Sequence, residues 1–163
     1  MRSIFKIIAM SGMAALAPAL VLAQDATTFG DWQKQCEPTP DGRERCYLVQ
    51  TVQAAAGGAD KKPVMVVIVA YSPKRDRVAL MIDVPLGMHI PTGLEVSTAG
   101  AAKKAEFEQC LVTGCRALVT VDDLMLNALK RGDATSVTVR GPTGDTLVLP
   151  ISANGFAQAF EKL

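Results

Sequence analysis

Of the chain's 163 residues, 17 are Lys or Arg and 16 are Asp or Glu, for a formal net charge of +1, and the signs are scattered rather than blocked. That distribution leaves no nucleic-acid footprint and argues against a partner recognised by charge alone. The length suits one domain with a full hydrophobic core.

Arg2 and Lys6 precede an uncharged apolar run over 7–22, which ends in Val21-Leu22-Ala23 before Gln24. A charged start, an apolar middle and a small residue at the cleavage position make 1–23 a signal peptide removed after Ala23. The run is short for a membrane span and is interrupted by Gly12 and Pro18. What remains, 24–163, is a single β domain whose charge is balanced once Arg2 and Lys6 are gone, 15 basic against 16 acidic residues. No later apolar run reaches spanning length, since PVMVVIVAY gives out at Ser72-Pro73. The sequence therefore predicts an exported protein of the periplasm, free or held at the outer membrane or cell surface.

From there the chain reads as short β-branched runs divided by Gly, Pro and Asp clusters, which predicts a mainly β, antiparallel sandwich or barrel-like domain. Strands are expected at 28–36, 45–53, 64–71, 78–84, 93–98, 105–110, 116–120, 136–139 and 146–151. Trp32, on the first, is read as a core plug, because a large aromatic contributes most of its energy by burial. AAAGGADKKP, between the second and third strands, is small and polar and reads as a flexible connector. PVMVVIVAY is apolar at nearly every position, so it is the expected central strand with both faces covered.

Two short helices complete the prediction, near 122–131 and 154–162. In the first, Asp122 caps, Asp123 complements the N-terminal dipole, Lys130 and Arg131 complement the other end, and Gly132 terminates. Leu124, Leu126, Ala128 and Leu129 are expected to face the core. In the second, Phe156, Ala159, Phe160 and Leu163 fall at i, i+3, i+4 and i+7 and form one apolar stripe.

Four cysteines in an exported chain make disulfides the default, with three connectivities open to Cys36, Cys46, Cys110 and Cys115. The local pairs, Cys36 with Cys46 and Cys110 with Cys115, each flank a turn-like segment and are favoured. Zinc binding is not supported, because the spacing lacks the close pairs of a tetrahedral site and oxidation removes the thiolates. Thioredoxin-type redox catalysis wants two residues between the cysteines at a helix start, whereas LVTG is longer and flanked by strand-like sequence.

Other catalytic constellations are missing too. His89 is the chain's one histidine and sits in the turn-rich PLGMHIPTG with no Gly-x-Ser-x-Gly elbow anywhere, so it is read as a loop histidine. Glu106 and Glu108 are read as neighbours on one face of a strand, and Asp122 with Asp123 as a helix start, so neither pair needs a catalytic role. GAAKK lacks the strand-loop-helix setting of a phosphate loop. The sequence thus assigns no catalytic residue, no metal ligand and no cofactor, and leaves a thiol-disulfide or other small enzyme as the alternative to a binding module.

The ordered set FGDW, Cys36 with Cys46, DVPLG, CLVTGC, DDLMLNALKRG and SANGFAQAFEKL resembles the invasion-associated locus B family of exported Gram-negative bacterial proteins, over 29–163. Phe29, Gly30, Asp31 and Trp32 match that family's opening signature. Pro85, Leu86 and Gly87 match its central turn, Gly114 and Cys115 its Gly-Cys pair, and Gly155 and Phe156 its terminal Gly-Phe. Ala153 departs from the pattern, which commonly has a larger apolar residue there. The resemblance implies a β-rich exported protein with no established catalytic site or cofactor. Export, staples and the lack of a catalytic constellation predict a non-enzymatic interaction module that contacts an unidentified envelope or host protein.

Overall fold

The computed structural model describes residues 26–54 and 63–163. The expected export signal at 1–23, and residues 55–62 of the Ala-Gly-rich connector, lie outside the described residues. The larger of two antiparallel sheets has the order β1-β2-β3-β4-β5-β9-β8. Its strands are β1 (Thr27–Phe29), β2 (Trp32–Pro38), β3 (Glu44–Gln53), β4 (Pro63–Tyr71), β5 (Val78–Val84), β8 (Phe107–Leu111) and β9 (Gly114–Val121). The smaller sheet, in the order β11-β10-β6-β7, holds β6 (Leu94–Thr98), β7 (Ala101–Ala105), β10 (Thr135–Arg140) and β11 (Thr146–Ile151). Among the described residues neither sheet closes on itself, so the architecture is sandwich-like and not a closed barrel.

Alternation along the strands explains why these two sheets face each other. Val78, Leu80, Ile82 and Val84 of β5 are buried, while Ala79, Met81 and Asp83 point the other way. Cys115, Ala117, Val119 and Val121 of β9 continue the same face, and Leu94, Val96, Val137 and Val139 answer it from the smaller sheet. Apolar burial of this kind stabilises by roughly 25 cal/mol per Å².

PVMVVIVAY is β4, the middle strand of the seven, as predicted. Its two faces differ, however: Met65, Val67 and Val69 are buried, whereas Val64, Val66 and Ile68 are only half-buried. On that outer face Ile68 is flanked by its cross-strand neighbours Val49 and Met81.

The expected strand at 28–36 is a hairpin instead: β1 folds back on β2, with Phe29 opposite Trp32, through a turn at Gly30, whose φ is 55°. The expected strand at 105–110 is β8, shifted to start at Phe107, and Ala105 instead ends β7, a strand the sequence did not predict. β7 pairs with β6 in the smaller sheet, and the chain crosses at Glu106 to β8 at the edge of the larger. Glu106 and Glu108 therefore do not share one face of a strand; both are exposed.

Helix α1 (Asp123–Arg131) starts and stops where predicted, with Asp122 accepting from the Met125 N–H at 2.9 Å and Gly132 left-handed at the C-cap. The buried face is Met125, Ala128 and Leu129. Leu124 is exposed, contrary to the prediction, because it lies about 100° round the helix from Met125 and off the stripe that Met125, Ala128 and Leu129 define. Helix α2 (Phe156–Phe160) buries Phe156, Ala159 and Phe160, with Leu163 half-buried beyond it.

Candidate interaction surface

The residue groups singled out in the sequence come together in two places at the same end of the larger sheet. At the β1–β2 edge, Asp31 N–H donates to the Asn154 carbonyl at 3.1 Å, and the Ser152 hydroxyl donates to Asp31 Oδ2 at 2.5 Å. Trp32 Nε1 donates to the Ser152 carbonyl at 2.8 Å, and its ring meets Phe156 edge-on with centroids 5.1 Å apart. Gly155 makes this closeness feasible: its φ is 82°, and a Cβ there would stand 2.1 Å from the Phe29 carbonyl oxygen. Phe29 to Trp32 and Gly155 to Phe156 are thus two halves of one clasp, with both large rings fully buried. Half-buried Ala153 takes part through its backbone, its carbonyl accepting the Phe156 N–H at 3.0 Å.

Gln50 completes the clasp, and nothing in the sequence announced it. Its amide is buried on β3, donating to the Ser152 carbonyl at 3.2 Å and accepting from the Ser152 N–H at 2.9 Å. A buried amide needs such partners, because leaving its polar atoms unsatisfied costs about 1–3 kcal/mol.

At the opposite edge, Pro85-Leu86-Gly87 and Gly114-Cys115 meet. Cys115 is directly opposite Val84, and a Cβ on Gly114, whose φ is 146°, would stand 2.4 Å from the Val84 carbonyl oxygen. Cys110 and Cys115 face each other across β8 and β9 and are joined, with Cα atoms 4.0 Å apart. The two-residue tip between Leu111 and Gly114 is therefore held out from the sandwich. Val112 is 94% exposed, Leu111 59%, and Leu86, on the adjoining loop, 55%. That loop passes through a short 3₁₀ turn (Ile90–Thr92) and is tied to the smaller sheet by His89 N–H donating to the Arg140 carbonyl at 3.0 Å.

The second staple, Cys36–Cys46, also joins directly opposed residues, here on β2 and β3. Its turn is polar throughout: Thr39 N–H donates to the Arg43 carbonyl at 2.7 Å, Gly42 N–H to the Thr39 carbonyl at 2.9 Å, and Arg43 pairs with Asp41. Both favoured pairings are thus the ones present. Cys36, Glu44 and Cys46 are the one group among the described residues whose donor atoms cluster closely enough for a metal, but the two sulfurs are bonded to each other and offer no thiolate.

His89 is exposed, and its ring Nδ1 lies 3.3 Å from the Thr92 hydroxyl, with no carboxylate in its hydrogen bonding. A general base oriented by an acid is not formed there. Asp122 is engaged in capping, and Lys103 at 2.8 Å, together with the Met125 N–H, holds its carboxyl below the usual carboxylate range. Asp83 pairs with Arg116 across β5 and β9 through two hydrogen bonds of 2.6 Å, which pushes the guanidinium pKa up. These charges are satisfied by one another.

Sequence reasoning missed Leu86, Leu111 and Val112 as a surface. A signal was present: two apolar residues inside a four-residue segment closed by cysteines cannot reach a core.

What these features define is a class: a disulfide-stapled, two-sheet β protein whose distinctive feature is an exposed apolar end. The sequence model for "Invasion associated locus B (IalB) protein" matches residues 32–163, and the chain belongs to that family. Invasion protein B homologues of Brucella abortus, from strain 2308 and from biovar 1 strain 9-941, are each 28% identical over 165 residues, covering 98% of this chain and 91% of the relative. The crystal structure of invasion associated protein B from Bartonella henselae is similar in fold, with a TM-score of 0.68 at 20% identity, covering 84% of this chain and 92% of that one.

Proposed function

We propose that the chain is exported, with cleavage after Ala23, and works as a non-enzymatic binding module in the periplasm or at the cell surface. Its partner is a protein of the envelope or of a host cell, in keeping with the names that its relatives carry. The observation that supports this is the apolar end itself. Leu111 and Val112 remain in water on a segment stapled by Cys110–Cys115, Leu86 is exposed on the adjoining loop, and exposed apolar groups of this kind mark contact sites. A rigid tip also gives up little conformational entropy on binding.

The test is photo-crosslinking in cells from a photoreactive amino acid at Val112, with mass spectrometry of the products. One envelope or host protein recovered reproducibly, and lost when Leu86→Asp and Leu111→Asp are introduced, supports the module. Recovery of no product from a folded, exported protein removes it.

The thiol-disulfide alternative draws on one feature, the exposure of Cys110 on an edge strand. Its reduction potential separates the two readings, since structural bonds lie below about −300 mV and exchanging ones well above.

A further inference from the structure

Among the described residues β11 pairs only with β10, so its outer edge is open. The register runs from Thr135 opposite Ile151 to Arg140 opposite Thr146, and the hairpin closes with Gly141 N–H donating to the Asp145 carbonyl at 2.8 Å. Bonded and non-bonded pairs alternate along an antiparallel ladder. Leu147, Leu149 and Ile151 therefore direct their backbone groups at β10, and Thr146, Val148 and Pro150 direct theirs outward. Pro150 fits this parity, because a proline in a sheet stands where its missing N–H faces away from the neighbouring strand.

The open edge offers two donors, the N–H groups of Thr146 and Val148, and three acceptors, the carbonyls of Thr146, Val148 and Pro150. No charged side chain occurs from Thr146 to Ile151, although edge strands are commonly guarded by one. Val148 is 61% exposed, and Leu147 and Leu149 are only half-buried on the inner side.

We propose that this edge pairs antiparallel with the same edge of a second copy of the chain, on a two-fold axis at Val148. The donor and acceptor pattern fits its own rotated image. Each Val148 N–H donates to the other copy's Val148 carbonyl, and each Thr146 N–H donates to the other copy's Pro150 carbonyl. Every outward N–H is satisfied, and the missing N–H of Pro150 leaves only the Thr146 carbonyl to water. Centring the pair on Pro150 forfeits both central donors, and centring it on Thr146 sets Val148 against the Gly144 turn. The two four-stranded sheets join into one of eight strands, with no like charges opposed and with further cover for Leu147 and Leu149. The pairing does not rest on the proposed role of the apolar end.

The experiment is sedimentation velocity of the mature chain over a concentration series, alongside Val148→Lys and Thr146→Pro. The wild type forms a dimer, and each variant lowers its affinity by about tenfold or more, through two ammonium groups at the axis or two lost donors. Val148→Cys forms an intermolecular disulfide on mild oxidation, since an antiparallel hydrogen-bonded pair has Cα atoms within disulfide reach. Thr120→Cys, on the exposed face of β9, does not. A wild type that stays monomeric at every concentration, a dimer unaffected by Val148→Lys, or a Val148→Cys that cross-links in cells only to a different protein each overturns the proposal.

Discussion

Two clasps at the same end of the larger sheet are built on one principle and put to different ends. In each, a left-handed or extended positive-φ glycine lets one stretch of backbone lie against another, Gly155 on Phe29 and Gly114 on Val84. In the first, the side chains the clasp carries, Trp32 and Phe156, go wholly into the core. In the second, Leu86, Leu111 and Val112 go into solvent. Folding accounts for the first, because its apolar groups are buried by it. The second leaves apolar groups in water that folding does not require there, and that asymmetry is what separates a structural device from a contact site.

The comparison breaks most readily in the side chains. Trp32→Ala is expected to cost about 3–5 kcal/mol in denaturant unfolding, whereas Leu111→Ala with Val112→Ala stays within about 0.5 kcal/mol. Equal losses would remove the distinction. Next come the staples: in the chain-entropy description, replacing Cys36 and Cys46 by Ser costs about 3 kcal/mol and replacing Cys110 and Cys115 about 2 kcal/mol. Only the second replacement should also reduce cross-linking from Val112.

Gly155→Ala and Gly114→Ala should each lower thermal stability, by about 1–3 kcal/mol, because a side chain is forced into a positive-φ backbone. They differ in the second readout, with partner capture falling for Gly114→Ala alone. A Gly155→Ala protein that loses the partner while folded would place the contact at the wrong edge.

The smallest effect is electrostatic. Tyr47 donates its hydroxyl to Glu37 at 2.5 Å beside the Cys36–Cys46 staple, and that bond, with partial burial, raises the phenol pKa from 10.0 to about 12. A raised folded pKa stabilises below the unfolded value, so Tyr47's contribution is complete below pH 10 and fades as pH rises to about 12. Phenolate absorbance should follow the shifted titration, and opening the Cys36–Cys46 staple should return it toward 10.0. Titration at the ordinary value in the intact protein would show that the hairpin does not hold that bond.

Much of the sandwich was legible because turn residues divide short β-branched runs, β4 as an unbroken apolar run and β9 as an alternating one. Asp122 and Gly132 marked α1 because cap chemistry is local. β7 was hidden, since Ala-Ala-Lys-Lys-Ala has little strand preference of its own and is placed by its turn and by pairing with β6, Glu95 opposite Lys104. Gln50 was hidden for another reason: its burial depends on Ser152, about a hundred positions away in sequence. At the exposed apolar end the motif residues were legible singly, but their meeting at Val84 depends on β9 lying beside β5, which no local pattern specifies.

The staples also act on register. Each joins residues that become neighbours only when a hairpin has chosen its pairing, and a slip of one residue would carry the cysteine to the opposite face. Oxidation therefore records a correct hairpin early, over short loops that close fast. Both bonds lie within the larger sheet, at β2–β3 and at β8–β9, so neither ties one sheet to the other. What holds the two sheets to each other is the shared apolar core and the seating of Ser152 on Trp32 and Gln50.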